Sequence, residues 1–143
     1  MVGKFEGLDI PKPIPALTED SKPYWEGCRR HELLLQRCQD CGHYRFPPGG
    51  LCPKCMSTNT EWTAISGKGS VYSWTIFHYL YHPAFSKDIP YNVAIVQLEE
   101  GPLLHTNILE CRDEDIFIGM SVEVVFEDIN DEISLPKFRP LSE

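Results

Sequence analysis

The second half of the chain alternates apolar and polar positions with the two-residue period of β-strands. The run over residues 71–80 is dense in β-branched and aromatic side chains, which favour strands. Residues 121–126 alternate almost without interruption between an apolar and a polar face. Three further runs have strand character: residues 91–98, 103–109 and 133–138. Five strands over about 80 residues, with a bend at Gly67 and Gly69, predict a small closed barrel.

The expected class is mainly β, and the five-stranded OB-fold is the first candidate for the barrel. Periodicity alone does not separate an OB-fold from an SH3-like barrel or a small sandwich. The predicted organisation has three parts: an N-terminal arm and helix over residues 1–31, a metal-binding ribbon over residues 32–61, and a C-terminal five-stranded barrel over residues 62–143.

The first part begins with a proline-rich stretch, residues 1–17, which predicts an extended arm. Capping and acidic residues from Thr18 onward predict a helix that ends near Arg30. Tyr24, Trp25 and Cys28 form an apolar stripe on one side of this helix. The stripe is consistent with packing on the protein's own core or with docking to another subunit, for which Tyr24 and Trp25 are the candidates.

Charge is distributed unevenly along the 143 residues, whose net charge is −8. Residues 62–143 hold five basic and thirteen acidic side chains, so the excess acidity lies in the second half. A nucleic-acid-binding barrel usually carries a basic groove, which makes nucleic acid an unlikely partner. The N-terminus lacks a leader-like apolar run, and no stretch reaches membrane-spanning length. We therefore expect a soluble, cytoplasmic protein with no membrane contact.

Four of the six cysteines form two CxxC pairs separated by ten residues: Cys38, Cys41, Cys52 and Cys55. Two residues between thiolates let a tight turn direct both sulfurs at one ion, and the second pair completes a tetrahedron. Gly42 follows the first pair, where the turn needs a positive φ, whereas Met56 follows the second. The remaining cysteines, Cys28 and Cys111, lack such a partner and are expected to be inert thiols.

Zinc is the expected ion of this site, since four thiolates are its usual structural ligands. Iron in a rubredoxin-type site and a disulfide framework are the alternatives, and the latter suits a secreted protein better. Four protein ligands leave no position for water or substrate, so the metal should be structural. Arg37, Arg45 and Lys54 lie nearby in sequence and compensate its negative charge.

Several segments together resemble the DUF35 proteins, which pair a rubredoxin-like zinc ribbon with an OB-fold. The N-terminal segments are residues 24–27, 33–38, 41–42, 46–48 and 52–55, followed by Trp62 and residues 66–69 and 71–73. The C-terminal segments are residues 82–85, 90–91, 118–120, 122–124 and 135–140. The resemblance covers residues 20–141, and Met56 is its one visible departure.

The resemblance implies an accessory role. Members are small subunits of thiolase-like or acyltransferase complexes, which they stabilise and in which they help to hold the CoA part of an acyl-CoA. It supplies no catalytic residue, and we do not expect the chain to be catalytic alone. The CoA-binding candidates are Arg37, Arg45 and Lys54 for the phosphates, and Phe46 and Trp74 for stacking on adenine.

Two other functions compete with this one. A single-stranded nucleic-acid-binding OB-fold would use Tyr72, Trp74, Phe77 and Tyr79 as stacking platforms, although core packing is the simpler interpretation of these aromatic side chains. An independent enzyme would need a nucleophile and base from among a few scattered residues, which no spacing supports. Those residues are His78, His82, His105 and Cys111.

Overall fold

Two antiparallel sheets carry most of the chain in the computed structural model, which describes residues 11–141. The predicted arm therefore lies partly outside the described residues, since residues 1–10 are not among them. One helix, α1, spans Lys22–Arg29. The strands are β1 Leu34–Cys38, β2 Tyr44–Arg45, β3 Thr60–Ala64, β4 Lys68–Phe77, β5 Tyr91–Leu98, β6 Leu103–Thr106, β7 Ser121–Asp128 and β8 Ser134–Pro140. The mainly β class is confirmed.

Helix α1 begins later than predicted, at Lys22 instead of Thr18. The hydroxyls of Thr18 and Ser21 lie 2.8 Å apart, and the Ser21 backbone N–H donates to Thr18 Oγ1 at 3.2 Å. These side-chain bonds hold a turn before the helix. Pro23 occupies the first helical turn, where no backbone N–H is needed.

The smaller sheet has the order β2-β1-β3 and forms the ribbon. Strand β3 pairs with β1 along its whole length, with Trp62 opposite Gln36. It therefore crosses position 62, where the sequence placed the start of the barrel. Length and alternation could identify β3 as a strand, but they carry no information about which sheet it joins.

The larger sheet has the order β6-β5-β4-β7-β8 and curls into the predicted five-stranded OB-fold barrel. Closure comes from the residues after β6. The backbone N–H of Leu109 donates to the Phe138 carbonyl at 2.7 Å, and the Phe138 N–H donates to the Asn107 carbonyl at 3.1 Å. These bonds form a parallel bridge between Ile108 and Phe138, which joins the two edges of the sheet.

A single apolar core connects the helix, the ribbon and the barrel. Tyr24 and Cys28 of α1 pack in the same cluster as Leu35 of β1. The barrel contributes buried side chains from all five of its strands and from their connections: Val71, Ala94, Val96, Leu98, Leu104, Ile108, Ile116, Met120, Val122 and Phe138. No helix within residues 11–141 combines the length and apolar character needed to cross a membrane.

Candidate metal centre and ligand surfaces

The four cysteines of the two CxxC pairs meet at one end of the ribbon. Their sulfur atoms all lie within 4.8 Å of one another. Cys38 Sγ is 3.5 Å from Cys55 Sγ, and Cys41 Sγ is 3.6 Å from Cys52 Sγ. Tetrahedral zinc with bonds of about 2.3 Å requires sulfurs about 3.8 Å apart. The donor set therefore fits one tetrahedral metal ion, and the ribbon is a metal-binding module.

The two turns that carry the ligands have the same backbone geometry. The Gly42 N–H donates to the Cys38 carbonyl at 2.9 Å, and the Met56 N–H donates to the Cys52 carbonyl at the same distance. Gly42 has φ +78° and Met56 has φ +64°. Met56 thus occupies the left-handed position that glycine fills in the first turn. Methionine in place of glycine after the second CxxC pair therefore leaves the backbone geometry of the turn unchanged.

Backbone N–H groups lower the pKa of two of the cysteine thiols. The N–H of Cys41 directs a hydrogen bond at the Cys38 sulfur and lowers the pKa of that thiol to about 6. The N–H of Cys55 likewise lowers the pKa of Cys52. Thiolates are the form that binds a metal, so each turn stabilises the charge of its own first ligand.

A polar cluster ties the two turns together. Asp40 accepts hydrogen bonds from the Ser57 hydroxyl and, at 3.1 Å, from Asn59 Nδ2. The Gln39 N–H donates to the Asn59 carbonyl at 2.9 Å. Such supporting contacts orient ligand-bearing segments. The sequence analysis missed them, because Asp, Ser and Asn in a loop are common and carry no spacing signal of their own.

The three cations named as phosphate ligands differ in exposure. Arg37 is exposed, lies over the Tyr44 ring at 5.4 Å, and donates from Nε to the Gly42 carbonyl at 3.4 Å. Lys54 is also exposed. Arg45 is only 6% exposed, and its Nη2 donates to the Gly49 carbonyl and to Thr60 Oγ1. Of the three, Arg37 and Lys54 are open to a ligand from solvent, while Arg45 stabilises the ribbon.

The aromatic candidates lie beside the core. Phe46 is half-buried, with its ring 5.3 Å from that of Tyr24, and Trp74 of β4 is half-buried against the barrel core. Tyr24 is 3% exposed, and burial raises the pKa of its hydroxyl. Tyr24 therefore packs in the core, which is one of the two roles that the sequence left open for the helical stripe. Trp25 is half-buried and packs edge-on against Tyr24 at 5.0 Å.

Three tyrosines lie at the surface, and two of them, Tyr72 and Tyr79, were expected in the core. Tyr72 is 55% exposed, Tyr79 61% and Tyr81 73%. The expectation of core packing was therefore wrong for Tyr72 and Tyr79. The reason for Tyr79 is that β4 ends at Phe77, so the residues beyond it leave the sheet. Neighbouring rings 4.9–5.9 Å apart form a continuous aromatic surface, which consists of Phe77, Tyr79, Tyr81, Phe85 and Tyr91.

The residues considered for an independent enzyme serve local structure where their contacts are described. His82 Nδ1 accepts the Ala84 N–H at 3.0 Å and caps the short turn Pro83–Phe85. Cys111 is half-buried, with its sulfur 3.4 Å from the Arg112 carbonyl. No hydrogen bond among residues 11–141 joins His78, His82, His105 and Cys111 to one another.

Two family models match the chain in succession. One is described as "ChsH2, rubredoxin-like zinc ribbon domain" and matches residues 25–61. The other is described as "ChsH2, C-terminal OB-fold domain" and matches residues 62–127. Both the ribbon and the barrel therefore have counterparts in known proteins, in the same order.

Curated relatives share this arrangement. A "DUF35 domain-containing scaffold protein" of Methanocaldococcus jannaschii is 41% identical over 104 residues, covering 72% of this chain and 73% of that protein. A "Probable enoyl-CoA hydratase alpha subunit" of Thermomonospora curvata is 39% identical over 129 residues. The alignment covers 90% of this chain and 40% of that protein, so the chain spans less than half the length of this relative.

A solved structure agrees with the sequence relatives. The chain is similar to one described as "Ltp2-ChsH2(DUF35) aldolase", with 38% identity and a TM-score of 0.81. The match covers 89% of this chain and 98% of that one. The chain therefore belongs to the DUF35 family.

Proposed function

We propose that this protein is a non-catalytic accessory subunit of a thiolase-like or acyl-transferring enzyme complex that acts on acyl-CoA esters. The observation that carries the proposal is its similarity to nearly the full length of a chain from the Ltp2-ChsH2(DUF35) aldolase. A relative named as a subunit of an enoyl-CoA hydratase supports the same substrate class. In this proposal the partner supplies the nucleophile, the base and the oxyanion hole.

The metal of the ribbon is zinc in this proposal, and its role is structural. Four sulfur ligands complete a tetrahedron and leave no open position for chemistry. Metal analysis of purified protein should find about one equivalent of zinc per chain. An equivalent amount of iron, with the colour of an iron–thiolate site, would contradict zinc while leaving the structural role intact. Four thiolates that hold a metal are typical of reducing compartments, which supports a cytoplasmic location for this protein.

The ribbon is the proposed site of contact with the CoA phosphates. Arg37 and Lys54 are exposed cations in the segment that holds the metal ligands. Phosphate oxygens accept charge-assisted hydrogen bonds from such groups, and guanidinium binds them with two parallel donors. Phe46 and Trp74 remain the candidates for stacking on adenine, each through the part of its ring that the core leaves open.

The aromatic surface is the proposed contact with the partner enzyme. Its outer members Tyr79 and Tyr81 expose most of their area, and aromatic residues are enriched at protein interfaces. Trp25 remains the second docking candidate because part of its ring is exposed. Replacing Tyr79 and Tyr81 together by serine should reduce recovery of the partner without changing the fold of this subunit.

Affinity purification of the full chain from its native source tests the proposed role. A thiolase-like protein that co-elutes in fixed stoichiometry is the expected result. The Tyr79→Ser/Tyr81→Ser variant should lose this protein, whereas an Arg37→Ala variant should retain it. Recovery of the chain alone, with full thiolase or thioesterase turnover, would overturn the accessory role.

Binding of an acyl-CoA to the purified complex tests the phosphate contact. The double variant Arg37→Ala/Lys54→Ala should bind about tenfold more weakly, since each charge-assisted hydrogen bond is worth about 1.5–3 kcal/mol before solvent screening. Lys68→Ala/Lys87→Ala removes the same charge from exposed barrel positions and serves as the matched control. Equal loss in both variants would indicate a general charge effect and contradict a ribbon site.

Nucleic-acid binding is the second candidate, favoured by one observation. Tyr72 and Tyr79 are exposed, as stacking platforms for single-stranded bases must be. The acidic balance of residues 62–143 opposes it, because phosphate neutralisation supplies most of the affinity of such proteins. Filter binding of oligonucleotides at low salt distinguishes the two candidates. Steeply salt-dependent retention would favour nucleic acid over an acyl-CoA complex.

A further inference from the structure

A cavity of about 520 Å³ lies between the extended arm, helix α1 and the outer side of the barrel. The arm contributes Pro13, Ile14 and Pro15, the helix contributes Trp25, and Val93 and Leu135 line it from β5 and β8. Its volume falls in the range of about 300–1,000 Å³ that is usual for small-molecule sites. The cavity is therefore large enough for a ligand with an extended apolar body.

The arm closes one side of the cavity through two contacts. Lys12 Nζ lies 2.8 Å from an Asp88 carboxylate oxygen and 5.3 Å from the centre of the Phe85 ring. Both contacts hold the arm against the loop that follows β4. The charge of Lys12 is already compensated by Asp88, so this lysine is not free to receive an anion.

Lys137 of β8 is a second cation of the cavity wall, and its contacts differ from those of Lys12. Burial lowers the pKa of its ammonium group, although Glu127 nearby opposes the shift. Lys137 Nζ donates to Asn107 Oδ1. No carboxylate of residues 11–141 lies within ion-pair distance of Lys137, and an ammonium group carries three donors. The cavity thus contains a partly desolvated cation with donors to spare.

Asn107, which accepts the hydrogen bond from Lys137, is itself fixed by hydrogen bonds to the barrel. Asn107 Nδ2 donates to the Asn92 carbonyl. The Asn92 side chain donates to the Ile108 carbonyl at 2.9 Å and accepts the Ile108 N–H at 2.7 Å. Asn92 is buried, so this chain of hydrogen bonds anchors Lys137 to the barrel. An anchored cation at an apolar cavity is the usual arrangement for orienting an anionic ligand.

We propose that this cavity binds an apolar carboxylic acid, with the hydrocarbon body between the arm, Trp25 and the barrel and the carboxylate on the ammonium group of Lys137. The carboxylate accepts the donors of the ammonium group that Asn107 leaves free, and the largely apolar walls strengthen this ion pair. Glu127 also lines the cavity, but it is exposed, so solvent screens its repulsion of the ligand carboxylate. The site needs no partner chain, and its wall shares Trp25, Phe85 and Tyr91 with the surfaces proposed to contact the partner enzyme.

Calorimetric titration of the metal-loaded full chain with decanoate, and separately with 1-decanol, tests the site. Decanoate should bind saturably at one site and more tightly than decanol. Lys137→Met should weaken decanoate about tenfold or more and leave decanol unchanged, because only the charged contact is lost. Lys68→Met, an exposed lysine of β4 outside the cavity wall, should bind both probes as the unmodified protein does.

A second variant and a spectroscopic measurement on the unmodified protein keep the test valid even if Lys137→Met misfolds. Val93→Phe should weaken both probes, because it fills cavity volume without removing a charge. In the unmodified protein, the ¹³Cε resonance of Lys137 should report a pKa that rises when decanoate binds and stays constant with decanol. Equal affinity for the two probes, equal decanoate affinity in Lys137→Met, or a Lys137 pKa unaffected by decanoate would each overturn the proposal.

Discussion

At the scale of single residues, the two metal-binding turns contain a natural comparison between glycine and a side chain in the left-handed region. A Cβ at Gly42 would meet no atom closer than 3.5 Å, so substitution there encounters the backbone restriction alone. Met56 already carries this restriction at φ +64° and is 66% exposed, so its side chain contributes little packing in return. The second turn therefore contains strain that the first one avoids.

Exchanging the two residue types should change stability in opposite directions. Gly42→Ala should lower the free energy of unfolding by about 1 kcal/mol, and Met56→Gly should raise it by up to about 1 kcal/mol. Urea unfolding of the metal-loaded protein measures both changes. Gly50→Ala is the control, since no atom lies within 4 Å of its added Cβ and its φ is not left-handed. A stabilising Gly42→Ala or a destabilising Met56→Gly would contradict the comparison.

At the scale of elements, α1 depends on contacts with its neighbours because eight residues are too few for an independent helix. A Cβ at Gly27 would lie 2.8 Å from Leu34 Cγ, which shows how closely the helix approaches β1. After the helix, His31 Nε2 lies 2.9 Å from Asp128 Oδ1, and its ring stacks on Phe126 at 5.2 Å. His31 thereby connects the helix to β7 of the barrel.

This connection should depend on pH. A hydrogen bond from Ser134, followed by one from His31, lowers the pKa of Asp128 below its ordinary value of 3.8. A carboxyl group whose pKa is lower in the folded than in the unfolded state stabilises the fold at pH values above its unfolded-state pKa. This stabilisation is lost as the pH falls through the folded-state pKa. Asp128→Asn should therefore be less stable than the unmodified protein near neutral pH, and the difference should shrink below about pH 4.

Urea unfolding of both proteins across this pH range measures the difference. Acid release of the metal affects the two proteins alike and cancels in the comparison. Asp131→Asn removes an exposed carboxylate from the connection between β7 and β8 and should show no such pH dependence. A stability difference for Asp128→Asn that stays constant down to pH 3 would exclude the ionised Asp128 carboxylate as its source.

Elements set by local sequence patterns could be predicted, whereas features that depend on tertiary contacts could not. The metal ligands could be predicted because CxxC spacing is local, and most strands because alternation is local. The pairing of β3 with β1 and the end of β4 at Phe77 depend on tertiary partners that periodicity does not encode. Residue type left Arg45 and Tyr24 open to both a structural and a ligand- or partner-binding role, and the structure shows that both are buried. The cavity could not be predicted, because it joins the arm to strands far apart in sequence.

At the scale of the whole molecule, the metal site and the barrel share one core. Leu33 and Leu35 lie just before or within the strand that ends at Cys38, and both pack in the cluster that contains Val71, Val96 and Phe138 of the barrel. The metal also joins Cys38 to the second turn. Loss of the metal should therefore weaken β1 and, through it, the core of the entire chain.

Cys52→Ser tests this coupling, since Cys52 is a fully buried member of the four-sulfur cluster. The variant should lose the metal, and its free energy of unfolding should fall by several kcal/mol. The reason is that a structural metal binds only the folded chain, so its binding free energy stabilises the fold. Calorimetry should show one transition at a lower temperature. Cys111→Ser, outside the cluster, should keep the metal and the original transition. Two transitions in Cys52→Ser, with the later one unchanged, would mean that the barrel folds without support from the ribbon.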